Sequence, residues 1–296
     1  MKRTILISAC VAVLAANAAA APKAKAPAAP PAAPAAAPSA VAAPGPTDWR
    51  TPDPNDVLVI DTNKGRIIVE MTPEVAPQHV AQIRALAHEN FYDGLRFFRV
   101  IDKFMDQTGD PQNNGQGGSA KPNVPAEFTF RRGADLPFVM AADQTVAEIG
   151  FIKSLPVESQ SMMLAAMTKD QKVTAWALYC QGVMGMARDD NPDSGNSQFF
   201  LMRNAFPSLE KKYTAWGRVI AGQDVVLSIK TGEPVEAPQD RMERLRLLSD
   251  IPEKDRPTVR VIDPKGPWFK AEIDRVRAAK GANFSACDMT LPAEVK

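Results

Sequence analysis

The chain has 296 residues, of which 45% are hydrophobic, so it can bury a sizeable core in one large domain or two small ones. Lys and Arg number 35 against 34 Asp and Glu. This balance argues against a nucleic-acid or membrane-surface protein, because such proteins carry a basic excess. With two histidines and three cysteines, no spacing of Cys, His, Asp and Glu is typical of a metal site.

Residues 1–20 have the layout of a secretory signal peptide. Lys2 and Arg3 form a basic start, and residues 5–14 are apolar but too short to cross a bilayer. Small residues suited to signal cleavage follow. An N-terminal membrane anchor and a lipoprotein attached through Cys10 are the alternatives. The segment predicts a periplasmic protein with no stable membrane insertion after signal removal.

Residues 21–50 are dominated by Ala and Pro. Such a tract cannot build a packed core, so we expect an extended, disordered linker with order beginning near Val57. The mature chain keeps Cys180 and Cys287. An oxidising compartment permits a disulfide between them, and two unpaired buried thiols are equally compatible with the sequence.

The first ordered elements are predicted from apolar patterning. Two β-branched runs at 57–60 and 66–71 flank a turn and predict a hairpin. Thr72 as N-cap and Pro73 at the first helical position then predict an amphipathic helix over 74–89, since apolar residues recur there at helical spacing.

The middle of the chain alternates between clear and weak patterns. Residues 95–101 predict a strand, and 109–123 are rich in Gly, Asn, Gln and Pro, which predicts a loop. Within 131–181, the Met-rich stretch 158–169 favours a helix and 173–179 favours a strand.

From Gly182 onward, short strands and turns dominate. Strands are predicted at 185–187, 198–202, 213–220, 241–249 and 258–262, and helices at 224–230 and from Pro267, with Phe269, Ile273 and Val276 on one face. Many short strands with two main helices indicate a mainly β fold, in which the helices cover an antiparallel closed sheet.

One run, from Phe98 to Gln107, combines residue types seldom found together in a core. Arg99 ends an apolar strand close to apolar side chains and an amide. Taken alone, the run predicts a barrel strand whose Arg99 caps a nearby carboxylate. A hydrolase or metalloenzyme is disfavoured, because no Gly-x-Ser-x-Gly motif, phosphate loop, base or ligand set is present.

A second run changes this interpretation. Residues 185–188 and 194–200 read Gly-Met-Ala-Arg and Ser-Gly-Asn-Ser-Gln-Phe-Phe. Together with the run around Arg99, their order and spacing resemble the signature blocks of the cyclophilin family. Further similar blocks stand at 64–70, 73–77, 91–95, 109–118, 213–219 and 222–226. The resemblance covers roughly 57–130 and 182–232, with the last strand within 241–250.

The resemblance implies a closed eight-stranded antiparallel barrel capped by two helices, with a groove that binds X-Pro segments. It implies that Arg99 is the catalytic arginine. The matching substrate-binding positions divide into an apolar pocket for the proline ring (Phe104, Met105, Phe200 and Leu209) and a groove around it (Gln107, Ala187, Arg188, Gln198 and Tyr213).

The sequence departs from the family pattern at the groove rim. Phe98 and Tyr213 stand where histidines are common, Thr108 replaces a glycine, Arg188 replaces an asparagine, and Ser208 replaces an aromatic residue. These changes put substrate preference in doubt more than reaction type.

The resemblance divides the chain into four parts. These are a signal peptide (1–20), a linker (21–50), a cyclophilin-like domain (51–250) and a C-terminal extension (251–296) that packs on the barrel through Trp268 and Phe269. Residues 131–181 are a partly helical insertion, which is either a structural decoration packed on the barrel, an element that shapes or lids the groove, or an added chaperone-like apolar surface.

The implied activity is peptidyl-prolyl cis/trans isomerisation in unfolded or folding exported proteins. It needs no cofactor, and neither nucleic acid nor another subunit is expected as a partner, so a monomer is predicted. The alternative is a weakly active or inactive scaffold or chaperone that binds unfolded or Pro-containing partners.

Overall fold

A computed structural model describes residues 41–144 and 146–296. The predicted signal peptide and most of the predicted linker lie outside these residues. Regular structure begins with a 3-10 turn at Pro46–Asp48, earlier than the predicted start near Val57. The end of the Ala/Pro segment is therefore part of the fold.

The described residues form sixteen strands and three α-helices. The helices are α1 (Pro77–His88), α2 (Gln223–Ser228) and α3 (Pro267–Lys280). The strands are β1 (Trp49–Arg50), β2 (Val57–Thr62), β3 (Gly65–Met71), β4 (Arg99–Ile101), β5 (Met105–Thr108), β6 (Phe130–Arg132), β7 (Phe138–Gln144), β8 (Ala147–Ile152), β9 (Leu155–Gln160), β10 (Val173–Ala177), β11 (Val183–Met186), β12 (Phe199–Met202), β13 (Ala215–Ala221), β14 (Met242–Leu247), β15 (Val259–Ile262) and β16 (Ala293–Val295).

The main sheet has eight antiparallel strands in the order β14-β2-β3-β13-β11-β12-β5-β4. It curls into a half-barrel and is not closed, so the predicted closed barrel is wrong. Its two edge strands, β14 and β4, are not paired as strands within the described residues. The predicted hairpin is confirmed, since β2 and β3 pair from Val57 opposite Glu70 to Thr62 opposite Gly65.

The open edge has a chemical reason. The segment after α2 forms no regular ladder with β4 and the residues before it: it makes two isolated bridges, between Arg96 and Arg241 and between Val100 and Gly232, and scattered backbone hydrogen bonds. Pro234 and Pro238 lie in that segment. Proline has no N–H to donate to a ladder, so regular pairing cannot continue along this edge.

Helix α1 begins later than predicted. Thr72 is not its N-cap, because the Thr72 carbonyl accepts from Val75 and Ala76 in a separate turn and the helix starts at Pro77. The Glu127 carboxylate takes the place of the cap and accepts the N–H groups of residues 78 and 79 at 3.0 Å each.

The insertion is a second sheet rather than a partly helical segment. It has five antiparallel strands in the order β6-β10-β9-β8-β7. The helix predicted over 158–169 is wrong. Residues 155–160 form β9, and Met162–Met167 is a 3-10 turn joining β9 to β10. The strand predicted at 173–179 is confirmed over Val173–Ala177.

The C-terminal extension contributes α3 and the strands β15 and β16, which form a three-stranded sheet with β1 in the order β1-β15-β16. Phe269, Ile273 and Val276 are buried on one face of α3, as predicted. The Phe269 ring meets the Phe151 ring of β8 edge-on at 5.2 Å between centroids. The extension therefore packs against the insertion.

Of the three apolar clusters in the interior, the two larger ones pack against the strands that carry the site. One contains side chains of the main sheet with α1 and α2, including Leu58, Ile83, Trp216 and Val226. The other joins the insertion, α3 and one face of β5 and β12. The second cluster is where the predicted proline pocket lies.

Cys180 and Cys287 form a disulfide with 5.0 Å between their Cα atoms. It ties the segment after β10 to the C-terminal extension, and so settles the alternative that the sequence left open. No helix among residues 41–144 and 146–296 has the length and apolar character needed to cross a membrane.

Candidate active site

A single row of paired residues crosses four strands at the centre of the site. Arg99 on β4 lies opposite Gln107 on β5, Gln107 opposite Phe200 on β12, and Phe200 opposite Gly185 on β11. Directly paired residues of antiparallel strands point to the same face of the sheet. Sheet register thus brings an arginine, an amide and a phenyl ring together on one surface.

Arg99 is held on two sides. Its Nη1 donates to Oε1 of Gln107 at 3.3 Å. Its Nε donates to Oε1 of Glu233 at 2.6 Å, and Nη2 lies 2.6 Å from the same oxygen. The side chain is 37% exposed, so the guanidinium remains accessible to a ligand in the groove.

The Gln107 amide is oriented by a second amide. Its Nε2 donates to Oε1 of Gln198 at 2.9 Å. Gln198 in turn donates through Nε2 to the carbonyls of Gly115 and Gly117, at 3.0 and 2.7 Å. Because two carbonyls fix which end of Gln198 donates, the acceptor end of Gln107 must face Arg99.

Asp110 organises the loop that supplies those carbonyls. Its carboxylate accepts the N–H groups of Gln112, Asn114 and Gly115 at 2.6 to 2.9 Å. Although burial acts to raise the pKa of Asp110, these backbone donors hold it below its usual value. A Cβ on Gly117 would lie 2.0 Å from Oδ1 of Asp110, so the close approach requires glycine there.

The apolar part of the site lies beside Arg99. Met105, Phe200 and Leu209 are buried in one cluster, and Phe104 packs against it. The Phe104 ring lies 4.4 Å from that of Phe206, which is 38% exposed. These residues form an apolar surface next to a cation, an arrangement suited to a ring flanked by a polar backbone.

Tyr179 lies behind Phe200. The two rings stack with centroids 6.1 Å apart. At Gly185, a Cβ would come within 2.3 Å of the Phe200 ring and 2.9 Å of the Tyr179 hydroxyl, so glycine leaves the room that both rings occupy. The hydroxyl has no hydrogen-bond partner among the described residues, and burial raises the pKa of Tyr179 well above 10.

A cavity of about 590 Å³ adjoins this row of residues. It is lined by Gln107, Ala187, Arg188 and Gln198, together with Asn196 and the loop from Gly115 to Ser119. The Ala187 N–H donates to the Gln198 carbonyl at 2.9 Å. The cavity offers backbone and amide groups to an extended chain.

At the far rim of the cavity, the Arg188 side chain packs against two aromatic rings. The Arg188 guanidinium carbon lies 4.5 Å from the centroid of the Tyr213 ring and 5.7 Å from that of Phe128. Nε donates to the Lys212 carbonyl at 3.1 Å. Tyr213 also meets Phe200 edge-on at 6.0 Å, so the rim is continuous with the apolar pocket.

All ten predicted site residues therefore lie in one connected region, and their individual roles stay predictions. Sequence reasoning missed Glu233, Tyr179 and Asn196. Glu233 is 134 positions from Arg99, and no local pattern marks it. Residues 41–144 and 146–296 contain no group of three His, Cys, Asp or Glu side chains able to hold a metal ion.

The half-barrel topology and the arginine beside an apolar pocket agree with the cyclophilin resemblance of the sequence. The family model described as cyclophilin type peptidyl-prolyl cis-trans isomerase/CLD matches residues 57–249. The chain therefore belongs to the cyclophilin-type peptidyl-prolyl cis-trans isomerases.

Particular relatives agree with this assignment. A probable peptidyl-prolyl cis-trans isomerase of Brucella suis is 33% identical over 190 residues, which cover 60% of this chain and 74% of the relative. Peptidyl-prolyl cis-trans isomerase 10 of Caenorhabditis elegans is 28% identical over 174 residues, 59% of this chain and 81% of that protein. The crystal structure of cyclophilin AquaCyp293 from Hirschia baltica matches with a TM-score of 0.78 and 36% identity, covering 84% of this chain and 94% of that one.

Proposed function

We propose that this isomerase accelerates cis/trans exchange of X-Pro bonds in unfolded or folding exported proteins, and that Arg99 assists the rotation. One observation carries the proposal. The Arg99 guanidinium lies in the same cross-strand row as Gln107 and Phe200, at the edge of an apolar pocket. Arg99 is therefore a permanently charged group beside the surface that would hold a bound proline.

The peptide bond sets what such a site must do. Resonance gives a rotation barrier of about 18–20 kcal/mol, and uncatalysed X-Pro exchange takes tens to hundreds of seconds. No covalent bond breaks, so no nucleophile, acid or metal is required. The site has to hold the ring while the preceding carbonyl turns and to bind the twisted state more strongly than either planar state.

Arg99 suits this task because resonance is lost in the twisted state and the prolyl nitrogen becomes more basic. A guanidinium donor near that nitrogen interacts best when the bond is twisted, which is differential stabilisation of the transition state. Arginine keeps its charge at all physiological pH values and presents planar donors, so lysine would not be equivalent.

The two parts of the site would bind different parts of the substrate. The surface of Met105, Phe200, Leu209 and Phe104 would take the proline ring. The cavity beside Ala187 would take the residues before it, with Gln107 bonding their backbone. Proline has no N–H, so an apolar pocket receives its ring without leaving a donor unpaired.

Export is supported by two sequence features and one structural feature. Residues 1–20 have the composition of a signal peptide, and an Ala/Pro-rich segment follows. The disulfide between Cys180 and Cys287 fits an oxidising compartment such as the periplasm. Cell fractionation of the expressed full chain tests this point. Recovery of the chain in the cytoplasm alone, with residues 1–20 still attached, would rule out the proposed location.

Arg99→Ala tests the proposed chemistry. We expect the variant to fold and to lose about a hundredfold in kcat/KM on a panel of X-Pro peptides, the size seen when one preorganised donor is removed. Arg96→Ala is the control, because Arg96 is exposed on the same segment. Arg99→Ala activity near wild type would refute the assignment. No acceleration of any peptide by the wild-type chain would favour the scaffold or chaperone alternative.

A further inference from the structure

Glu233 is the second hydrogen-bond partner of Arg99. It is not among the site residues that the family resemblance predicts, and it is not part of the apolar pocket. Its Oε1 lies 2.6 Å from both Nε and Nη2 of Arg99. Gln107 contacts the guanidinium through Nη1. The cation is therefore held at two edges, by a carboxylate on one side and an amide on the other.

The backbone around Glu233 is fastened to the strand that carries Arg99. Gly232 and Val100 exchange two hydrogen bonds of 2.8 Å each, and the Val235 N–H donates to the Phe98 carbonyl at 2.9 Å. Phe98 and Val100 flank Arg99 in sequence. Val235 is 3% exposed and packs in the core of the main sheet. Glu233 is thus held beside Arg99 by main-chain bonds on both sides of it.

The exposure of the pair indicates what it contributes. The Arg99 side chain is 37% exposed and that of Glu233 55%. Ion pairs in such contact with water add little to folding stability. They can still select one conformation of a long side chain, and a group that is oriented before the reaction need not be ordered during it.

We propose that Glu233 is a positioning residue for catalysis, acting through Arg99. The inference rests on the proposed role of Arg99. Gln107 and Glu233 together hold the guanidinium plane so that its remaining donors face the groove. Interaction with the carboxylate keeps the arginine in this orientation before a substrate arrives.

Glu233→Ala should lower kcat for an X-Pro peptide by about tenfold and leave KM nearly unchanged, because substrate contacts remain while the donor is less well oriented. Glu233→Gln keeps a neutral acceptor for Nε, so its kcat should lie between those of the wild type and Glu233→Ala. Glu236→Gln is the matched control, since Glu236 is an exposed acid three positions away on the same segment. Thermal unfolding should be the same for all of these variants.

A double-mutant cycle tests whether Glu233 acts through Arg99 or independently of it. In the Arg99→Ala background, Glu233→Ala should cause no further loss. The Arg99 Nε–Hε resonance should shift in Glu233→Gln and stay in place in Glu236→Gln, which tests whether the contact exists in solution, whereas the loss of kcat at constant KM tests whether it serves catalysis.

Two results would overturn the inference alone. One is unchanged or increased kcat in Glu233→Ala, while Arg99→Ala is inactive. The other is the same fractional loss from Glu233→Ala with and without Arg99. Wild-type activity in Arg99→Ala would instead overturn the proposed function, and this inference with it.

Discussion

Adjacent residues of β5 serve opposite faces of the sheet. Gln107 faces the groove, whereas Asp106 is fully buried and pairs with Arg203, with Oδ1 2.9 Å from Nη1. The Arg203 guanidinium also donates to the carbonyls of Val226 and Leu227 in α2, at 3.0 and 2.8 Å. The strand that carries Gln107 is thereby tied to the end of α2.

Asp106 should make stability depend on pH. Burial raises its pKa to about 7, although Arg203 acts to lower it. In the unfolded chain the carboxyl ionises near pH 3.9. Between these values the folded state binds more protons than the unfolded state, so stability falls as pH rises through this window.

Asp106→Asn isolates this effect, because the amide oxygen can still accept from Arg203. We expect the free energy of unfolding of the wild type, relative to Asp106→Asn, to decrease by about 3 kcal/mol between pH 4.5 and 7.5. Urea unfolding of both proteins at the two pH values measures it. An equal difference at both values would contradict the predicted shift.

Local sequence blocks contain much of the site but not all of it. Arg99, Gln107 and Phe200 stand in short runs whose order resembles a known family, so the sequence alone identifies them. Glu233 and Tyr179 could not. Their partners come from the pairing of distant segments, and a single charged or aromatic residue in a loop carries no sign of such a partner.

At the scale of elements, the insertion shows where local patterning fails. Met162, Met163 and Met167 have helical spacing, yet they form a 3-10 turn at the tip of a hairpin. The preceding residues of β9 pair with both β8 and β10. Bonds to two neighbouring strands outweigh a helical preference of a few tenths of a kcal/mol per residue, about the size of intrinsic propensities.

The disulfide joins two elements that the chain separates by 107 residues. Cys180 follows Tyr179, whose ring supports Phe200, and Cys287 lies in the C-terminal extension. Closing so long a loop restricts the unfolded chain, and such bonds contribute about 2–4 kcal/mol.

We therefore expect reductant to lower the urea midpoint of the wild type by an amount equal to a stability loss of about 2–4 kcal/mol. The variant Cys180→Ala/Cys287→Ala should start at the lower midpoint and not respond to reductant. Urea titrations with and without dithiothreitol make the comparison. A wild-type midpoint that reductant does not move would show that the bond does not stabilise the fold.

At the scale of the whole molecule, the groove lies on the outer face of the main sheet, beside only one of the two apolar clusters that pack against its strands. The inner face of β4, β5 and β12 presents Val100 and Leu201 to one cluster, and the outer face presents Met105 and Phe200 to the other. The second cluster also contains the insertion and α3. The floor of the pocket therefore packs against the insertion and α3, and the family resemblance did not predict these contacts.

The curl of the main sheet was predictable from strand patterning, but its open edge was not. Closure depends on whether the segment at 230–241 can donate a full ladder of bonds to β4. Pro234 and Pro238 prevent it. This effect is visible only once the sheet order identifies which segment faces which strand.

The central claim is that the groove both binds an X-Pro segment and lowers the barrier through Arg99. Exchange NMR on one X-Pro peptide, with wild type and Arg99→Ala at matched saturation, tests both parts at once. We expect both proteins to bind the peptide with affinities within a few-fold, while only the wild type produces cis/trans exchange faster than the tens of seconds of the free peptide. Equal exchange rates with the two proteins would contradict the account.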